Sequence, residues 1–251
     1  MDLKNLNCFM IRGLGRETRH WGKFKRLMEK ECGLLHCLEL PGFGTKVDQQ
    51  SPTKISDYVE NLRREFFKII EKHGEGRESI LLSISLGGMV GLEWMARHPN
   101  DFEAGFVINT SDGSLSGPWD RISFEGIGNL VKSISLKTTR ERERNIFRLV
   151  SNRYIDDQTV DEWDSYAQEF EPQMKNFLNQ MMAAMKFRVP KNIQTPLLFL
   201  ASKRDRMVSV KCSENLAKHF KANISFHLDA GHDLPLDDPP WVIRQLKDFS
   251  L

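Results

Sequence analysis

The segment Ser83-Ile84-Ser85-Leu86-Gly87-Gly88 lies between an apolar run, Ser79–Leu82, and a stretch with apolar positions at Met89, Val90, Leu92, Trp94 and Met95. A serine hydroxyl there suits acyl transfer, provided that a base takes its proton and an acid orients the base. A strand that turns sharply into a helix holds its serine in a strained, accessible position. The residues two before and two after the serine must then be small, so that strand and helix can pass closely. Ser83 and Gly87 meet that limit around Ser85. The same turn aims the N–H of Leu86, the first helical residue, at a developing oxyanion. A serine in this place is also a common helix N-cap, but strong strand and helix patterns on its two sides favour the nucleophilic turn.

The expected chain order for such chemistry is serine, acid, histidine. His232, in Ala230-Gly231-His232-Asp233, follows an apolar run ending near Leu228 and is the candidate base. His20 and His73 fall on or beside helices, His36 and His227 within strands, and His98 and His219 toward helix ends. Asp205 follows the run Leu197–Leu200 and is the favoured acid, with Asp112, after the run Phe106–Ile108, as its rival. A second oxyanion donor should come from the loop after the first strand. That loop is Arg12-Gly13-Leu14-Gly15, and the N–H of Leu14 is the candidate.

These residues need a scaffold that brings loops to one edge. Short apolar runs at 7–11, 34–38, 79–82, 106–108, 196–200 and 224–228 alternate with longer amphipathic stretches, the rhythm of βα units and a parallel sheet. Residues Ser56–Lys72 carry Val59, Leu62, Phe66, Ile69 and Ile70 at helical spacing. The rhythm stops from Ser111 to about Arg188, a stretch of loop and helix rich in charge and methionine. This predicts a discontinuous core, 1–111 and 189–251, with a helical cap, 112–188, over the C-terminal strand edge where such sheets bind ligands. A last helix is expected after Asp237-Asp238-Pro239-Pro240, with Asp as cap and Pro in the first turn.

Composition narrows the function classes. With 36 basic and 34 acidic residues the formal charge is +2, too even to argue for nucleic acid. Nowhere do about eighteen apolar residues run together, so no membrane span is expected. The first residues do not read as a signal peptide, which suggests a cytoplasmic protein. The four cysteines are scattered, with no CxxC pair and no histidine at metal spacing, and read as reduced thiols; neither metal nor cofactor is expected.

Taken together, Gly13-Leu14-Gly15, Pro41-Gly42-Phe43-Gly44, Ser85-Leu86-Gly87-Gly88, Asp205 and Gly231-His232 resemble the α/β-hydrolase superfamily over essentially the whole chain. The set is most similar to small carboxylesterases such as the pimeloyl-carrier-protein methyl ester esterases. The resemblance implies a mostly parallel sheet with helices on both faces and a helical cap inserted before the acid-bearing strand. It also implies hydrolysis of a small-molecule carboxylic ester through an acyl-serine intermediate. A thioesterase, lyase or perhydrolase would use the same triad, and a non-catalytic binding protein would keep the fold. Haloalkane dehalogenases and epoxide hydrolases of this fold use a carboxylate nucleophile, which Ser85 argues against.

Three positions depart from the pattern. Arg12 stands where the family usually has His, and Leu14 and Ile84 stand where the esterases carry aromatics; Arg12 and Ile84 are therefore substrate-pocket candidates. The run Lys137–Arg144 with Arg148 and Arg153 makes the cap locally basic. Mixed-sign pairing on a solvated helix explains such a run. Docking of an acidic acyl-carrier protein through Arg142 and Arg148 is the partner that the resemblance implies. Met174, Met181, Met182 and Met185 with Phe177 and Phe187 suggest an adaptable apolar underside to the cap, suited to acyl chains.

Overall fold

The computed structural model describes residues 1–74 and 76–250. Strand β1 (Asn7–Ile11) leads through a turn into α1 (Gly22–Glu31), β2 (Leu34–Leu38) and α2 (Ile55–Ile69). Then follow β3 (Ser79–Ile84), α3 (Leu86–Arg97) and β4 (Ala104–Ile108). The insertion holds α4 (Pro118–Arg121), α5 (Phe124–Ser135), α6 (Thr139–Val150), α7 (Asp157–Glu169) and α8 (Met174–Lys186). The chain ends with β5 (Leu197–Ser202), α9 (Val210–Phe220), β6 (Asn223–His227), α10 (Leu234–Asp237) and α11 (Pro239–Asp248).

The strands form one sheet in the order β2-β1-β3-β4-β5-β6, and every pairing is parallel. The period-two alternation of side chains splits each strand between two cores. Phe9, Ile11, Leu81, Val107 and Phe199 face α2, α3 and α9 on one side. Met10, Ile80, Leu82, Phe106, Ile108, Leu198 and Leu200 face α1 and α11 on the other. Central strands are buried throughout, which is why they read as unbroken apolar runs, whereas edge strands β2 and β6 are half-exposed. This is the α/β-hydrolase fold, with helices on both faces.

The insertion between β4 and β5 has a small core of its own, Phe147, Val150, Val160 and Trp163. Its two ends meet: Asp112 Oδ1 accepts from Ser114 N at 2.7 Å and Leu115 N at 2.8 Å, while Oδ2 accepts from Val189 N. Asp112 therefore fastens the insertion and has no bond to the histidine. The Asp cap expected for the last helix is present, since Asp238 accepts from Trp241 N and Pro239 opens α11. No described helix is long and apolar enough to cross a membrane.

Candidate active site

Ser85 is the single residue between β3 and α3, at φ 57° and ψ −119°. A side chain resists that conformation, at a cost of about 1–3 kcal/mol, and the surrounding bonds impose it. Ser85 N donates to Ile108 O at 2.9 Å, and Ser85 O accepts from Thr110 Oγ1 at 2.7 Å. The size limits have visible causes. A Cβ at Gly87 would lie 2.5 Å from Arg12 O and 2.6 Å from Ile11 O, so α3 could not cross the end of β1. Ser83 is fully buried and packs against Gly91, where an added Cβ would stand 2.6 Å from the Ser83 hydroxyl. The loop after β1 lies directly on the serine, because a Cβ at Gly13 would be 3.0 Å from Ser85 Cβ. Leu14 borders the same cavity as Ser85, and Leu86 N–H belongs to the first turn of α3, which lacks intrahelical acceptors.

Histidine and acid meet on neighbouring loops. His232 Nδ1 and Asp205 Oδ2 are 2.7 Å apart, with side chains 7% and 1% exposed. Asp205 Oδ1 accepts from Met207 N at 2.7 Å and Val208 N at 3.0 Å, so the carboxylate is fixed before it reaches the ring. A Nδ1–H held by a carboxylate leaves Nε2 as the basic nitrogen. Burial lowers the His232 pKa, but the charge and hydrogen bond of Asp205 outweigh it, Asp233 adds to the rise, and Arg12 opposes it. The net shift is upward from 6.5. A reaction that needs neutral His232 should therefore show kcat/KM rising with pH to a plateau, with a midpoint above 6.5. Asp233→Asn should move that midpoint down; a midpoint that stays in place would show that Asp233 does not act on the ring.

Arg12 borders the cavity, but its guanidinium is already engaged. It binds both oxygens of Asp233, at 3.2 and 2.5 Å, and lies 4.6 Å over the Trp21 ring. With both side chains about 95% buried it acts as a structural ion pair beside the histidine, not as a free substrate cation. Ile84 borders the cavity from within the core.

Two supports carry no motif in the sequence. Asn109, at φ 42° just after β4, donates from Nδ2 to His232 O at 2.8 Å and Ser202 Oγ at 3.0 Å, and accepts from Ser202 N at 2.9 Å. It staples the ends of β4 and β5 to the histidine loop. Asp237 accepts from Gly231 N at 2.7 Å and, across from it, from Ser151 Oγ and Asn152 N of the insertion. The only available hint was polar residues at strand and loop ends, where Asn tolerates a positive φ.

The insertion is bound to the loop after β1 by charge and by amides. Arg16 pairs with Glu143 at 2.6 Å, contacts buried His20 at 2.8 Å and lies over Trp163. Gly15 N donates to Gln180 Oε1 at 2.9 Å. Much of the basic run is internally paired, Arg140 with Asp161 and Arg144 with Asp157. Arg142 turns to the cavity. Nearby, Glu39 holds Thr18 N and Oγ1 at 3.1 and 3.2 Å. Burial, followed by the Glu17 charge, lifts its pKa to about 7 against the Thr18 bonds. A carboxyl raised in this way disfavours the fold only where it must ionise. The penalty is absent below about 4.5, grows as pH rises, and levels above about 7 at about 3 kcal/mol. Glu39→Gln should therefore raise the melting temperature at pH 8 and change it little at pH 4; equal effects at both would contradict this reading.

Ser85, His232 and Leu14 border one cavity of about 290 Å³ between the strand edge and the insertion, lined mainly by apolar side chains such as Leu130, Ile146, Leu149 and Phe177. Among the described residues no group of three or more His, Cys, Asp or Glu converges to hold a metal ion.

Known structures share this architecture. A lipase-esterase related protein from Clostridium acetobutylicum superposes with a TM-score of 0.75 at 16% identity, covering 98% of this chain and 95% of that one. A bacterial membrane phospholipase A gives 0.74 at 19% identity over 97% and 78%. The 2-hydroxy-6-oxo-6-phenylhexa-2,4-dienoate hydrolase from Rhodococcus sp. strain RHA1 gives 0.70 at 16% over 98% and 90%. No curated protein matches the sequence significantly. The sequence does match the family described as serine aminopeptidase, S33, over residues 7–238, and with that fold and that match the chain belongs to this family of α/β-hydrolases.

Proposed function

We propose that the chain hydrolyses carboxylic esters through an acyl-Ser85 intermediate. The observation that carries this reading is the strained Ser85 bordering one cavity with a histidine already held by a buried carboxylate. In the proposed cycle His232 Nε2 takes the Ser85 proton as the hydroxyl attacks the ester carbonyl. The tetrahedral oxyanion is held by the N–H groups of Leu14 and Leu86. His232 returns the proton to the leaving alcohol, then activates water for deacylation, while Asp205 stabilises the imidazolium without taking its proton. Lipase, esterase and phospholipase names among the structural neighbours support an ester in preference to a peptide bond.

The apolar lining supports acyl chains longer than acetyl. In a panel of p-nitrophenyl esters, kcat/KM should rise about tenfold or more from acetate to hexanoate, since each methylene taken from water is worth about 0.8 kcal/mol. A flat profile would remove the acyl-pocket assignment. A fluorophosphonate probe should label wild-type protein at Ser85 and leave folded Ser85→Ala unlabelled. Absence of any adduct would turn the reading to a non-catalytic binding protein, and faster turnover of matched thioesters would turn it to a thioesterase.

A further inference from the structure

Helix α8 is built inside out. Its buried residues are polar: Asn176, Asn179 and Gln180, with Ala183. Each amide has loop backbone as its partner, with Ser51 N donating to Asn176, Asn179 donating to Ser51 O, and Gln180 accepting from Gly15 N. Four of its exposed residues are apolar and share one face. Met174, Leu178, Met182 and Met185 are 50%, 52%, 42% and 67% exposed, spaced by four, four and three residues along one face. Helix α5 adds Phe124, Val131 and Ile134, each at least 60% exposed. Among the described residues, nine of the eleven exposed large hydrophobics lie between Trp119 and Met185. Concentration of this kind marks an interaction surface, whereas scattered exposed hydrophobics do not.

The place and charge of this surface indicate what covers it. Both helices border the cavity that reaches Ser85, α5 through Leu130 and Ile134, α8 through Met174 and Phe177, so the apolar face is continuous with the opening. Helix α8 carries Lys175 and Lys186 and no acidic residue, and Arg121 and Arg188 close its C-terminal carbonyls. Helix α5 carries Lys132, and its one acid, Glu125, faces Arg206. Exposed Glu171 stands just before α8. In a chain of net charge +2, an apolar face edged by cations is complementary to an anionic lipid surface.

We infer that α5 and α8 form a docking surface for an anionic bilayer, with the Met and Phe side chains sunk at the headgroup–acyl boundary and the lysines among the phosphates. Docking in this way sets the cavity mouth against the layer. The inference goes beyond the esterase reading and does not require it, because the contact precedes any chemistry at Ser85.

Co-sedimentation with vesicles of equal parts phosphatidylcholine and phosphatidylglycerol tests it directly. Wild type and Ser85→Ala should both sediment with these vesicles, less with pure phosphatidylcholine, and less at high salt. Leu178→Glu with Met185→Glu should weaken partitioning about tenfold or more, leaving the melting temperature and the turnover of a soluble short ester unchanged. Lys175→Glu with Lys186→Glu should remove the preference for anionic vesicles. No wild-type binding, or binding indifferent to these variants, would overturn the inference. So would self-association in sedimentation velocity that the same variants abolish in protein that binds no vesicles. Vesicle binding without turnover of any ester would leave the surface in place and defeat only the esterase reading.

Discussion

Ser85→Ala is expected to lower kcat for ester hydrolysis by on the order of ten-thousandfold to a millionfold. In the proposed cycle the whole covalent route runs through one oxygen, so His232→Ala should bring a loss of similar size. The double variant should be no slower than either single one, because base and nucleophile act as a unit. The remaining rate would reflect the oxyanion donors and the binding cavity. Stability should move the other way for Ser85→Gly, since glycine relieves the strain of φ 57°. Stopped-flow kinetics on a chromogenic ester beside thermal melts would check both. Losses in the single variants that add up in the double would show that the two residues do not share a step.

Asp205→Asn is expected to cost about ten-thousandfold in kcat with the fold intact. Oδ1 already accepts two backbone N–H groups, so the amide oxygen should take that place and leave Nδ2 facing the ring. A donor there forces Nδ1 to become the acceptor and puts the proton on Nε2, where the base is needed. Asp112→Asn makes the contrast. Its carboxylate is bonded to Ser114, Leu115 and Val189, so melting temperature should fall while kcat is kept. If Asp112→Asn instead lowered kcat as far as Asp205→Asn, the assignment of the acid would be wrong.

The central parallel strands were legible because fully buried runs bounded by Gly, Pro and Asp leave few other readings, and the half-exposed edge strands β2 and β6 keep enough apolar residues to be read as well. One-turn helices such as α4 and α10 are stabilised by what they pack on, and local propensity does not announce them. At the site, the turn around Ser85 and the loop of His232 both carry local signals. The choice between Asp205 and Asp112 does not, since each follows a strand at the same edge; what separates them is the path of the insertion, a long-range property. Arg12 does border the cavity, but its pairing with Asp233, 221 positions away, leaves no local signal. Asn109 carries no local signal, because a staple between three loops has no periodicity. The inverted face of α8 is half visible in its methionines: Met174 does line the cavity, whereas Met182 and Met185 face outward.

The histidine loop rests partly on the insertion. Asp233 N donates to Val150 O, Gly231 packs against that same carbonyl, and Asp237 grips Ser151 and Asn152. Residues 150–152 are thus a foundation for the loop that holds His232, although they belong to the segment that shapes the cavity. A substitution at the end of α6 should therefore shift the loop that holds His232 together with the wall of the cavity. Helix α5 reaches the same foundation indirectly, since its Glu125 pairs with Arg206, which donates to Ser151 O.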